Sequence, residues 1–232
     1  MDDSLSTGQI NNSLPKQQVH DLLLQRDFTA LLDLCEEDKR LWRILWSTLY
    51  DADEELRWPA IEAVAKVLGR WWRAGYKERV REYIRRLLWS MSDEAGEMGW
   101  SAPQTIAEGI ACIPELLEPY GSMMIARAFE ESTLVTGGLW GVGRLGTMIR
   151  EAVESSQDVI LRVFQTGDTE TLGLAAWAMG EVGVKEALPY LEELGSREEP
   201  VRIYIQGDFC QKPVGQWAHE AIVKIEACPM VT

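Results

Sequence analysis

The stretch LGLAAWAMGEVG, Leu172 to Gly183, constrains this chain most, because another stretch repeats it. GLWGVGRLG, Gly138 to Gly146, stands 37 residues upstream of AAWAMGEVG, Ala175 to Gly183. Trp140 then falls on Trp177, Gly143 on Gly180 and Gly146 on Gly183. Small residues at helical spacing mark a face where one helix packs closely on another. Recurrence at a near-fixed period points to a stack of like units rather than one globular core. Looser copies begin at Ala60 (AIEAVAKVL), Ala102 (APQTIAEGI) and Ala218 (AHEAIVKIE), so successive starts are 42, 36, 37 and 43 residues apart.

Two-helix repeats are known at about 34 residues for tetratricopeptide units and about 40–47 for HEAT and armadillo units. The spacing prefers the second group. The best copy reads A-x-A-[LM]-G-x-[IV]-G, and REEPVR (Arg197 to Arg202) and DEELR (Asp53 to Arg57) each precede a closing helix. These features resemble the HEAT repeats of the phycobilin-lyase type over roughly Asp38 to Glu226. The segments SMSDEAGEMGWSAPQTIAEGI and IYIQGDFCQKPVGQWAHEAI are also similar to uncharacterised HEAT-repeat proteins of anaerobic sulfate-reducing bacteria. The resemblance implies an all-α, right-handed α-solenoid of about five HEAT-like pairs, and is nearly silent on function.

Residues 1–14 are polar, lack apolar periodicity and read as a disordered tail. Residues 15–232 read as a single solenoid domain. Within it, 15–36 form an N-terminal cap, which a stack needs to keep its apolar end from water. The pairs follow at about Asp38–Tyr50 with Glu54–Trp71, Lys77–Trp89 with Ser101–Ile113, Tyr120–Glu131 with Thr136–Arg150, and Gln157–Gln165 with Thr169–Val184. In the last pair, Glu186–Leu194 and Val214–Glu226, the helical pattern is interrupted. There β-branched and aromatic residues surround Gly207-Asp208, which predicts a β-hairpin inserted over 200–213.

Charge and composition exclude several partners. The net charge of −14 opposes nucleic-acid binding, whose affinity comes mainly from neutralised phosphates. It equally opposes an anionic membrane surface. The opening MDDSLSTGQ has neither a basic start nor an apolar run, and no stretch approaches the ~20 apolar residues of a membrane helix. A cytoplasmic protein is expected, monomeric or weakly dimeric. Cys35, Cys112, Cys210 and Cys228 are scattered and His20 and His219 stand apart, so no metal or cofactor site is expected.

Three motifs have ordinary explanations. Gly141 to Gly146 satisfies G-x-G-x-x-G, but dinucleotide binding needs a preceding strand, and these glycines fall on the small positions of a repeated helix. His219-Glu220 resembles one of the dipeptides that hold iron in the HEAT-type enzyme deoxyhypusine hydroxylase. The matching places carry Ile61-Glu62, Pro103-Gln104, Leu139-Trp140 and Ala176-Trp177, too few ligands for two irons. Arg70 to Trp89 is basic and interleaved with aromatics, as in surfaces that stack nucleobases. Val80, Tyr83, Ile84, Leu87 and Leu88 make it an amphipathic helix with a solvated arginine face, open to an acidic partner.

The tryptophans carry the functional expectation. Trp177 and Glu181 share one ridge of their helix at i and i+4; matching positions hold Trp140 with Arg144 and Gln104 with Glu108, with Trp58 and Trp100 one turn earlier. If second helices line the concave side, Trp58, Trp100, Gln104, Trp140, Arg144, Trp177 and Glu181 form a partner-binding groove. Otherwise loops such as Ser92–Gly99 or the hairpin cover the rings. Tryptophan and arginine are the residues most enriched at binding hot spots. With no catalytic residue identified, the expected function is a non-catalytic interaction or scaffold module for a protein or peptide. The alternative is a HEAT-type enzyme, hydroxylase-like or chromophore lyase-like.

Overall fold

The computed structural model describes residues 7–92 and 99–227. The first part of the expected tail and most of the loop Ser92–Gly99 lie outside the described residues. The protein is mostly helical, with one two-stranded antiparallel sheet. The chain divides into two compact units, 1–77 and 78–232.

The first unit holds α1 (Thr7–Leu24), α2 (Phe28–Glu37), α3 (Lys39–Thr48) and α4 (Glu54–Arg73). Helix α1 begins before the expected boundary at Pro15, which is carried inside it. Three aspartates start the next helices by taking up amide groups that no intrahelical carbonyl reaches. Asp27 accepts from Ala30 N, Asp38 from Arg40 N and Asp53 from Glu55 N, all within 3.0 Å. Val19 and Leu23, Leu31 and Cys35, and Leu41 and Leu45 are one turn apart and bury a single face of α1, α2 and α3. Helix α4 is central and buries residues all round, from Trp58 to Trp72. Trp42 packs edge-on to Trp71 with ring centres 4.8 Å apart.

The second unit runs from helix α5 (Lys77–Ser90) through α6 (Ala102–Cys112), α7 (Leu117–Glu130) and α8 (Val135–Leu145). The single helices expected over 136–150 and 157–165 are broken into pieces. Gly146, at φ 54°, stops α8, and a 3₁₀ turn leads into α9 (Arg150–Ser155), α10 (Gln157–Leu161) and α11 (Val163–Thr166). Helix α12 (Thr169–Val182) ends at the left-handed Gly183, whose N–H returns to Met179 O. The matched glycines 146 and 183 therefore share one job, stopping a helix. Helix α13 (Leu188–Leu194), strands β1 (Pro200–Ile205) and β2 (Asp208–Pro213), and helix α14 (Val214–Ala227) complete the unit. The hairpin lies where the sequence places it. Its two-residue turn puts Gln206 at φ 52° and Gly207 at φ 97°, the pair of positive angles that suits a twisted two-stranded ribbon.

Helix α6 packs on α8, α8 on α12, and α12 on α14, so within the second unit the four helices carrying the repeated pattern contact one another in chain order. Small residues permit the approach. A Cβ on Gly143 would stand 2.5 Å from the Trp177 ring, and one on Gly180 would stand 2.7 Å from Ala221 Cα. Helix α14 is the last described helix of this series, and Gln216, His219, Val223 and Lys224 are exposed on it.

Candidate functional site

The rings expected to line a groove are mostly internal. Trp58 is 8% exposed, Trp140 3% and Trp177 6%. Trp177 lies across Gly143 and donates Nε1–H to Glu181 Oε1 at 2.9 Å. Trp140 on α8 donates to Tyr204 O of β1 at 2.7 Å, and Trp217 on α14 donates to Val201 O at 3.2 Å. Strand β1 also packs on α12. The open groove expected at Trp58, Trp140 and Trp177 is thus corrected: these rings are buried, and the hairpin is what covers Trp140. A buried indole usually pairs its N–H, and β1 supplies carbonyl oxygens for two of them.

The polar members of the same ridge tie neighbouring helices together. Arg144 grips Glu108 through two bonds, Nε to Oε1 at 2.9 Å and Nη2 to Oε2 at 3.0 Å. Lys224 Nζ meets Glu181 Oε1 at 2.6 Å, so Glu181 receives both an indole and an ammonium. The partners are 36 and 43 residues apart, which are the spacings of the repeats that hold them. The ridge that sequence reasoning assigns to a partner is therefore a ladder of opposite charges within the second unit. Its pairs are partly exposed; buried geometry is kept for Glu108, with a side chain 10% exposed. Gln104 is half-buried beside Gly137, where a Cβ would stand 2.7 Å from Oε1. That oxygen has no hydrogen-bond partner among the described residues.

Of the tryptophans in the expected set, Trp100 alone reaches the surface, at 51% exposure. Trp89, at the end of α5, is 59% exposed. The main chain closes between them, Gly99 N donating to Ser90 O at 2.7 Å, so both rings flank the neck of one loop. Trp89 follows Arg85 and Arg86 on α5, both substantially exposed. Sequence reasoning missed Trp89, although the signal was present. Val80, Ile84, Leu87 and Leu88 fix the buried side of α5, and Trp89 follows Arg85 by one turn on the other.

Most of the basic stretch is neutralised locally. Arg70 meets Asp33 at 2.6 Å and Glu36 at 3.0 Å in the first unit. In the second, Arg85 bridges Glu78 and Glu82 at 2.7 and 2.9 Å, while Arg86 meets Glu82 at 3.2 Å. The side-chain hydrogen bonds from Arg85 hold the Glu78 and Glu82 carboxyls below the usual range. His219 is exposed, and its neighbour Glu220 accepts from Lys212 at 2.6 Å and from Gln216 at 3.0 Å. Burial opposes ionisation of Glu220, but those bonds and the Lys212 and Lys224 charges bring its pKa down. Among the described residues, no three His, Cys, Asp or Glu side chains group closely enough to hold a metal ion. Among the described residues Cys35, Cys112 and Cys210 form no disulfide, and burial pushes Cys35 up to about 12. No described helix is long and apolar enough to cross a membrane.

No family model matches the chain. It is similar to an uncharacterised protein of Archaeoglobus fulgidus, 29% identical over 157 residues that span 67% of this chain and 81% of the relative. The relative's description names no activity.

Proposed function

We propose that this protein is a non-catalytic interaction scaffold, an α-solenoid of HEAT type that binds a partner protein through an exposed aromatic patch. One observation carries the reading: Trp89 and Trp100 stand exposed on either side of a closed loop neck, with Arg85 and Arg86 one turn from Trp89. A large apolar ring left in water is the informative exception to burial, and two flanking one neck, with arginine beside them, have the composition of a binding hot spot. The partner segment this favours is apolar, because Arg85 and Arg86 are already met by Glu78 and Glu82. Trp58, Trp140 and Trp177 hold the scaffold together instead, while Arg144 and Glu181 stay partly open at its charge ladder. The HEAT reading is supported by the serial contacts of α6, α8, α12 and α14 and by ion pairs at repeat spacing.

The test is affinity purification from the native host with the wild-type chain and with Trp89→Ala/Trp100→Ala. Retained helicity and melting midpoint, together with loss of a stoichiometric co-purifying protein, are expected. Hot-spot truncations of this kind cost ~2 kcal/mol or more of binding each. An identical set of bound proteins with both chains would end the reading.

A further inference from the structure

Strand β2 leaves one backbone edge of the sheet open. The two-residue turn makes Ile205 and Asp208 the closing hydrogen-bonded pair, and alternation then bonds Ile203 with Cys210 and Val201 with Lys212. The main-chain groups of Arg202 and Tyr204 on β1, and of Phe209 and Gln211 on β2, therefore point away from the sheet. Trp140 covers Tyr204 O on the β1 side. On the β2 side, no hydrogen bond among the described residues reaches the outward main chain of Phe209 or Gln211. Asp208 and Gln211 are exposed, and Phe209, Cys210 and Lys212 are half-exposed. Such an edge is a template for another strand.

We propose that the strand it takes is β2 of a second copy of this chain, antiparallel, about a two-fold axis at Cys210. The segment Asp208-Phe209-Cys210-Gln211-Lys212 is complementary to itself in that register. Asp208 faces Lys212 of the second copy, and Lys212 faces its Asp208. Phe209 faces Gln211 at both ends, and these outward residues are the ones able to exchange N–H···O bonds. Cys210 faces Cys210 at the non-bonded position between them, where Cα atoms approach to about 4.5 Å. Such an interface is isologous, as two-fold dimers require. Lys212 is already held at the edge by Glu220, at 2.6 Å, with its ammonium 4.4 Å from the centre of the Trp217 ring.

Charge selects this register over its neighbours. A slip by two residues sets Cys210 against Asp208 or against Lys212 and forms neither ion pair. Slipping one way also brings Pro213, which has no N–H, into the bonded set. Edge charges discourage indiscriminate pairing; opposite signs at mirrored positions turn the same charges into a favourable contact for one copy meeting another.

Sedimentation equilibrium of the full chain tests the proposal, with Gln211→Pro and Asp208→Lys as variants. Gln211→Pro removes an outward donor at an edge position where proline is tolerated. Asp208→Lys sets lysine against lysine. Neither native side chain makes a bond within its own chain among the described residues. The wild type is expected to dimerise at tens of micromolar, and each variant to become monomeric with unchanged circular dichroism and melting midpoint. In a chain carrying Cys112→Ser and Cys228→Ser, a short bismaleimide should join two Cys210 thiols, and Gln211→Pro should abolish the product. If Gln211→Pro unfolds, Asp208→Lys decides alone. A monomeric wild type overturns the proposal, and so does a dimer undiminished in both variants, which would place the contact on another face.

Discussion

Trp140 carries two separable contributions at one residue, a buried ring and a donor that satisfies Tyr204 O. Trp140→Ala removes the ring and is expected to cost ~3–5 kcal/mol, as large core truncations do. Trp140→Phe keeps most of the apolar volume and leaves the β1 carbonyl without its indole partner, a cost of about 1–3 kcal/mol. Urea melts of both variants check the order, and an alanine variant as stable as wild type would show that the ring is not part of the core. This is where the sequence was hardest to read. Periodicity identified Trp140 and Trp177 as equivalent, and they are equivalent in place, on helices that pack together. It could not show which way was out, because α8 and α12 bury residues on every side and offer no polar stripe to set the phase. The cover over Trp140 comes from Tyr204, 64 residues later, and nothing local announces so distant a contact. Trp89 failed for the opposite reason: its own helix exposes it, but it lies outside the repeated copy that directed attention.

Helix α12 depends on its first turn as well as on its packing. Asp168 accepts the Thr171 amide at 2.9 Å, and that bond holds its carboxyl below the usual range. Ala at this position is expected to cost about 1 kcal/mol at neutral pH. A carboxyl with a depressed folded pKa stabilises the fold above its unfolded value, near 3.9, and loses that contribution as pH falls through the folded value. The difference in stability between wild type and Asp168→Ala should therefore be full at neutral pH and shrink below about pH 4. Chemical denaturation at matched pH values checks this, and a pH-independent difference would mean that the ionised cap contributes nothing. At the same scale the hairpin was legible, since its alternation, β-branched residues and Gly207 are local signals. The division of 150–166 into three short helices was not, because Val153, Ile160 and Val163 sustain an apolar rhythm across the breaks.

At the scale of the whole chain, charge and truncation each give an expectation. The net charge is −14, and Arg70, Arg81, Arg85 and Arg86 already face carboxylates. Retention on DNA or RNA should be weak at low ionic strength and absent at physiological salt, since few free cations remain to displace counterions. Submicromolar affinity in a filter assay at physiological salt would contradict this. Truncation is the stronger test, because removing one packed helix exposes the apolar face it covered. Helix α14 turns Trp217, Ala218, Ala221 and Ile225 inward, while Gln216, His219 and Val223 are exposed and Lys224 reaches Glu181 of α12. A chain ending after Leu194 loses β1, β2 and α14 together. Gly180 then loses Ala221, Gly173 loses Val201, and Trp140 loses its carbonyl acceptor. The uncovered side of α12 is largely apolar, with Glu181 at its edge losing Lys224. Exposed apolar faces of that extent drive association. The truncated chain should enter aggregates in size-exclusion chromatography with light scattering, whereas the full chain should not. A soluble, helical 1–194 with a wild-type melting midpoint would show that α14 is an accessory and that the stack is closed by α12 itself.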